Sequence, residues 1–262
     1  MTTTPANSMG TDATGALVDA RPEHLFGFTV RANDAENFRV LRKDIFEKRI
    51  YHFESKTDAP VVLDCGANIG VATLYFKHVY PAARITAFEP DPAVVAYLRT
   101  NVETNGLTDV RVVRAALSDS ANAQTLFADG KYSSTLQAHA TPTTRSAGEA
   151  REVSCVRLYD YLTEPIDFLK MNIEGAEWTV LRDAEPRLSA VRAMVVEYHH
   201  LPGLPRTLHN ILDLLDRCGF DYLINDFDGT TNPHVQPPFM LTPRTSYYLL
   251  IYAKQRSAIH AG

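Results

Sequence analysis

The chain has 262 residues, 22% of them charged, and a formal net charge of −5, so it carries no electrostatic footprint for nucleic acid or an anionic membrane. Cys65, Cys155 and Cys218 lie far apart without a CxxC spacing; they indicate neither a disulfide framework nor a cysteine zinc site and fit a reducing cytoplasm. A chain of this length with 45% hydrophobic residues can bury a sizeable core in one main α/β domain with appendages.

Residues 1–20 are rich in Thr, Ala, Gly and Asp without periodicity, and a disordered tail is expected. That start lacks a basic segment followed by an apolar one, and no run of 18 apolar residues occurs, so an unexported, cytoplasmic, soluble protein with no membrane partner is expected. Residues 21–59 read as an N-terminal cap: a short strand around Phe26 to Val30, then a helix with Phe38, Leu41, Ile45 and Ile50 at roughly helical spacing.

From residue 60 to 256 strands and helices alternate. Strands are expected at 61–65, 84–89 and 110–115, with helices at 69–79 and 92–105 between them. Nearly apolar strands separated by such helices argue a parallel sheet covered on both faces. After "LSD" the regularity lapses, and residues 137–151 read as a Thr, Ala and Gly-rich loop suited to a lid. Alternation resumes with strands at 153–156, 167–172, 191–197 and 220–225 and helices at 175–184 and 205–218; a last strand, "SYYLLIYAK" (246–254), follows the Pro-rich turn at 232–244.

In a parallel sheet ligands sit at the carboxyl ends of the strands, where helix N-termini also point their free N–H groups. The first of these strands ends in "DCGANIG": Gly66 permits a tight turn and Gly70 opens or closely packs the next helix. The middle glycine of a dinucleotide fingerprint is missing. Asp64 offers a carboxylate to a ligand ammonium group or to the loop, so a phosphate-free, zwitterionic ligand suits the stretch better, with a plain strand-to-helix turn as the alternative. The second strand ends in "AFEPDP". Glu89 follows Gly70 by 19 residues (89 − 70), close to the spacing at which such sheets place an acid on ribose hydroxyls; the alternative is a solvated strand end, with Asp91 as a helix cap.

Ser118 and Asp119 in "AALSD" are candidates for an adenine edge and equally a turn signal. In "DFLKMNIEGAEW" strand periodicity puts Lys170, Asn172 and Glu174 on one side, either as a polar cluster in the crevice or as a Lys170 to Glu174 salt bridge. "VVEYHH" places Glu197 and His199 two apart, an arrangement that orients an imidazole and raises its basicity. His199 or His200 is the candidate base, and a solvated or structural histidine is the alternative. No zinc-type spacing accompanies them, and no metal is expected.

Taken in order, "VVLDCGANIG", "AFEPDP", "AALSD", "FLKMNIEGAEW" and "VEYHH" resemble the FkbM-type S-adenosylmethionine-dependent methyltransferases over roughly residues 60–200. The resemblance implies a Rossmann-like class I methyltransferase fold: an α/β, seven-stranded, mostly parallel sheet with an antiparallel last strand and helices on both faces. It implies S-adenosylmethionine as cofactor and methyl transfer to a hydroxyl of a sugar or a secondary metabolite such as a macrolide. Asp64, Gly66, Asn68 and Gly70 match that family's cofactor loop, Glu89 its ribose acid and Asp119 its adenine contact. Asn172 departs from the pattern, in which Asp usually stands; a neutral amide still holds cofactor or substrate by hydrogen bonds but is a weak metal ligand and no base.

The reading that follows is an O-methyltransferase with His199 or His200 as base, Glu197 orienting it, Lys170 or Glu174 holding the acceptor, and Asn172 with Ser118 on the cofactor. Tyr132, the apolar N-terminal segment and the 137–151 loop would cover the site. The rival readings are a non-catalytic nucleoside-binding protein and a nicotinamide dehydrogenase, the latter disfavoured by the missing glycine. A small hydroxyl acceptor is the expected partner; the oligomeric state is open, a homodimer being one expectation.

Overall fold

The computed structural model describes residues 22–128, 134–136, 149–226 and 246–259. The expected tail, Tyr132, residues 137–148 of the expected lid and the Pro-rich turn lie outside the described residues.

The chain opens with a hairpin, β1 (Glu23–Leu25) and β2 (Phe28–Val30), turned at Phe26 and Gly27, both at positive φ. Helix α1 (Ala35–Arg42) is capped by Asp34, whose side chain accepts from the N–H groups of Glu36 and Asn37. The helical spacing that reaches to Ile50 in the sequence is not one continuous α-helix. After Arg42 the backbone widens into a π-turn at Lys43–Glu47 that buries Ile45 and Phe46, and Arg49 at φ 58° ends it.

The main sheet contains β3 (Val61–Cys65), β4 (Arg84–Phe88), β5 (Val110–Val113), β11 (Ile166–Met171), β12 (Val191–His200), β13 (Phe220–Asp226) and β14 (Tyr247–Gln255). Their order is β13-β14-β12-β11-β3-β4-β5. The five strands from β5 to β12 pair in parallel; β14 slots antiparallel between β12 and β13. The sheet is thus seven-stranded with an antiparallel last strand. The strand order reverses between β3 and β11, which opens a crevice at their carboxyl ends.

Period-two alternation splits the apolar strands between two cores. Leu63, Cys65, Leu169, Met171 and Val196 face helices α4 (Glu177–Ala184) and α5 (Leu208–Arg217). Val62, Phe168 and Val195 face α2 (Val71–Val79) and the N-terminal segment. Phe53 from that segment stacks on Phe168 with centroids 4.3 Å apart; each such buried ring contributes about 1.5–3 kcal/mol. Helix α3 (Pro92–Thr104) begins as its sequence indicates, with Asp91 capping Ala93 N–H and Pro92 in the first turn.

Outside the main sheet are strands with no clear periodic signal. β6 (Ala116–Ser118) pairs in parallel with β10 (Cys155–Arg157), so the stretch expected as one strand from 110 to 115 breaks at Val113 and restarts. β7 (Gln124–Ala128) pairs with β8 (Ser134–Leu136) and β9 (Glu149–Val153). Residues 149–151, expected in a loop, therefore belong to a strand. Among the described residues no helix is long and apolar enough to cross a membrane.

Candidate active site

A cavity of about 500 Å³ lies at the crevice between β3 and β11. Its floor is the turn after β3. Gly66 N–H and Ala67 N–H donate to Phe88 O at 3.0 and 2.8 Å, and Gly66, Asn68 and Gly70 all hold positive φ. The glycines answer to packing rather than to the ligand side alone: a Cβ on Gly66 would stand 1.8 Å from Asn172 O, and one on Gly70 2.7 Å from Leu98 Cδ1. Gly66 and Asn68 line the cavity, whereas Gly70 and Asp64 do not.

Asp64 is fully buried. It accepts from Thr73 Oγ1 at 2.7 Å and lies 3.1 Å from Lys170 Nζ. Its carboxylate serves the fold beneath the loop, so the expected contact with a ligand ammonium group is not available to it in this arrangement. Lys170 is equally committed: buried at 3% exposure, it donates to Gly66 O at 2.5 Å and Cys65 O at 3.4 Å. The ion pair considered from sequence, Lys170 with Glu174, is replaced by Lys170 with Asp64. The reason is that β11 ends at Met171 and Glu174 sits in a turn at φ 55°, so strand periodicity does not reach it.

Glu89 forms the next wall. Its two carboxylate oxygens accept from Asn68 N–H and Asp91 N–H, each at 3.0 Å, and each retains a lone pair. Burial pushes this carboxyl up to about 7, against those two backbone donors, which favour the charged form. Ser118 and Asp119 turn away from the cavity. Pairing of β6 with β10 runs through Ser118, whose hydroxyl takes Gln124 Nε2 at 2.7 Å, while Asp119 lies 3.4 Å from Arg182 on the surface. Ala115, Ala116, Leu117, Leu126 and Leu136 form the apolar lining there instead.

The opposite wall comes from the ends of β11 and β12. β12 runs three residues past its expected end, pairing His199 with Tyr248 and His200 with Tyr247 of β14, and so carries both histidines into the cavity. Glu197 Oε2 accepts from Asn172 Nδ2 at 3.0 Å and from Tyr51 Oη at 3.1 Å. Tyr51, from the N-terminal segment, has no recognisable motif in the sequence; its ring also covers Lys170, 5.6 Å from Nζ. Burial and the Glu197 carboxylate hold the Tyr51 phenol well above its ordinary value, and it stays a donor.

His199 Nδ1 lies 3.1 Å from Glu177 Oε1, and its Nε2 lies 3.5 Å from Glu197 and 3.9 Å from Glu174. Burial opposes charge on this ring, but the surrounding carboxylates outweigh it and hold the imidazole well above its ordinary value. That direction favours the charged ring and disfavours His199 as the proton acceptor. His200 is the reverse case: burial and Arg206 lower it, and its Nδ1 is buried without a partner among the described residues. Asn172 Oδ1 is likewise buried and unpartnered.

The lining carries five carboxylates, Asp44, Glu89, Asp91, Glu174 and Glu197, against the cations Lys170 and His199. Such a lining suits a ligand bearing positive charge and repels a pyrophosphate. A sulfonium cofactor with an ammonium group and a ribose fits these residues: Glu89 offers lone pairs to vicinal hydroxyls, and the acid-rich lining faces its positive charge.

Residues 64–222 match the family described as Methyltransferase FkbM domain. Methyltransferase sdnD from Sordaria araneosa is 32% identical over 215 residues, spanning 70% of this chain and 82% of that protein. The 31-O-demethyl-FK506 methyltransferase FkbM from Streptomyces tacrolimicus is 30% identical over 230 residues, 74% of this chain and 86% of that one. Among solved structures, a putative transferase from Pyrococcus horikoshii shares the fold with a TM-score of 0.50 at 15% identity, covering 89% of this chain and 70% of that one.

Proposed function

The chain belongs to the FkbM methyltransferase family, and we propose that it moves the methyl group of S-adenosylmethionine to a hydroxyl oxygen of a sugar or secondary metabolite. The observation that carries this reading is Glu89, held by the Asn68 and Asp91 N–H groups in the wall of an acid-rich cavity at the reversal of strand order. The cofactor, when bound, supplies an activated methyl on sulfonium, so the acceptor oxygen forms the C–O bond as the C–S bond breaks and its electrons pass to sulfur.

The protein's own residues then have two tasks, alignment and disposal of one proton. Glu89 holds the ribose hydroxyls on lone pairs not used by Asn68 and Asp91. The carboxylates of the lining favour a cationic cofactor over its neutral thioether product. His200, which lines the cavity and whose charge is disfavoured by burial and by Arg206, is assigned the hydroxyl proton. The apolar residues of α1 and the π-turn, Val40, Leu41 and Ile45, roof the cavity and keep water from the reacting oxygen. The Streptomyces relative is named for methylation at an oxygen of FK506, and a hydroxyl of that general kind is the proposed acceptor.

Incubation with S-adenosylmethionine and a panel of hydroxylated natural products should yield S-adenosylhomocysteine together with a product heavier by one methylene. Absence of S-adenosylmethionine binding in calorimetry would sink the proposal, and binding without turnover on any member of the panel would leave the rival reading of a non-catalytic binder.

A further inference from the structure

The side sheet of β7, β8 and β9 lies outside the parallel core, yet one row of its residues turns toward the cavity. Residues directly opposite one another in an antiparallel sheet project to the same face. Leu126 of β7 is paired with Leu136 of β8 on one side and with Arg151 of β9 on the other. The two leucines are buried and line the cavity. Arg151, in the same row, donates from Nη1 to Asp91 Oδ1 at 3.2 Å. The rest of its fork is held on its own strand, where Nε donates to Glu149 Oε2 at 3.2 Å and Nη2 reaches the same oxygen. A planar guanidinium gripped along one edge can aim its remaining N–H groups in few directions, and here they aim into the turn after β4.

Asp91 stands in the middle of that turn. Its Oδ1 also caps Ala93 N–H at 2.9 Å, and its own N–H donates to Glu89 Oε1 at 3.0 Å. We propose that Arg151 is a positioning residue for the cofactor's ribose: by holding Asp91 it fixes the plane of the Glu89 carboxylate, and with it the lone pairs offered to the vicinal hydroxyls. The two ends of the guanidinium differ in weight. The Glu149 side chain is 72% exposed, and an ion pair that open to water contributes little; the Asp91 side chain is 4% exposed, so its bond to Arg151 is screened far less. The helix cap ties Asp91 to α3 alone. Arg151 adds a tie from another sheet, so the turn that carries Glu89 and the strands that supply Leu126 and Leu136 to the lining are joined at one point.

This inference rests on the methyl-transfer reading of the cavity. It is tested on the full chain by ligand-observed NMR, as displacement of bound S-adenosylhomocysteine by adenosine and by 2′,3′-dideoxyadenosine. The wild type should prefer adenosine about tenfold. Arg151→Gln should cut that preference to about twofold, by weakening adenosine while the dideoxy compound stays near its wild-type affinity. Arg151→Lys returns a charged donor and should restore most of the preference. If Arg151→Gln does not fold, Arg151→Met, which keeps the stem and drops the fork, carries the same expectation. An arginine that only braced the side sheet would matter equally to both nucleosides, so an undiminished preference in the folded variant, or a loss shared by both compounds, overturns the assignment. Equal displacement by the two nucleosides in the wild type, or none by either, overturns it as well. Failure of S-adenosylhomocysteine itself to bind the wild type overturns the methyl-transfer reading, and the assignment with it.

Discussion

The two walls of the cavity are built on opposite principles. Beneath β3 and β4 the wall is backbone: a turn of three positive-φ residues sewn to Phe88 O and to Glu89, with Asp64 and Lys170 locked below it. Beneath β11 and β12 it is side chains, drawn from the end of β11, α4, β12 and the N-terminal segment, and two of its acceptors have no partner among the described residues. The first wall is fixed largely by backbone hydrogen bonds and a buried ion pair, and the second by contacts between side chains far apart in the sequence.

The largest expected effect breaks the first wall. Gly66→Ala places a Cβ against Asn172 O at a positive φ, and should lower stability by about 4 kcal/mol or more, read as a shift of the denaturation midpoint. His200→Ala tests the second wall with the first intact. Turnover should fall about 10²- to 10³-fold while calorimetric affinity for S-adenosylhomocysteine stays near wild type; full turnover would remove His200 as the base.

A pH titration sets the walls against each other. Glu89 rises from 4.5 to about 7 on folding, so the folded state binds its proton more tightly; stability declines as pH rises from 4.5 through about 7, by on the order of 3 kcal/mol. His199 is also raised, so its contribution is complete below 6.5 and is lost as pH climbs through its folded value. Cofactor binding should run the other way, tightening as Glu89 ionises near 7, and thermal melts with and without S-adenosylhomocysteine across this window check both signs. The smallest effect is Tyr51→Phe. Glu197 keeps Asn172 as a donor, so stability should drop by only about 1 kcal/mol, while the His199 titration followed by NMR moves further upward as Glu197 loses a competing donor.

The first wall was legible in the sequence because its determinants are local: two glycines, an acid 19 residues on, and apolar strands whose length and flanks mark a parallel sheet. The second was legible only as residue names. Glu197 and Tyr51 lie 146 positions apart, and nothing in "KRIYHF" separates a buried phenol from a core aromatic. His199 and His200 looked equivalent because the ring of three carboxylates that distinguishes them comes from β12, the turn after β11 and α4. Asp64 was misjudged for a related reason: a carboxylate at a strand's carboxyl end can face the ligand or the helix behind it, and Thr73 with Lys170 decides that. The side strands β6 to β10 escaped because short pairings at a sheet's margin need no alternation to form.

The placement of β14 also sets a timetable. His200 pairs with Tyr247, 47 residues further along the chain (247 − 200), and β12 has no other neighbour on that side. During synthesis at about 5–20 residues per second, the ribosome has extruded the glycine turn and Glu89 long before the strand that braces the histidines exists. A nascent chain therefore passes through an interval of seconds in which the frame can already assemble but His199 and His200 lack the strand that pairs with them, and a chain cut before Tyr247 never leaves that interval.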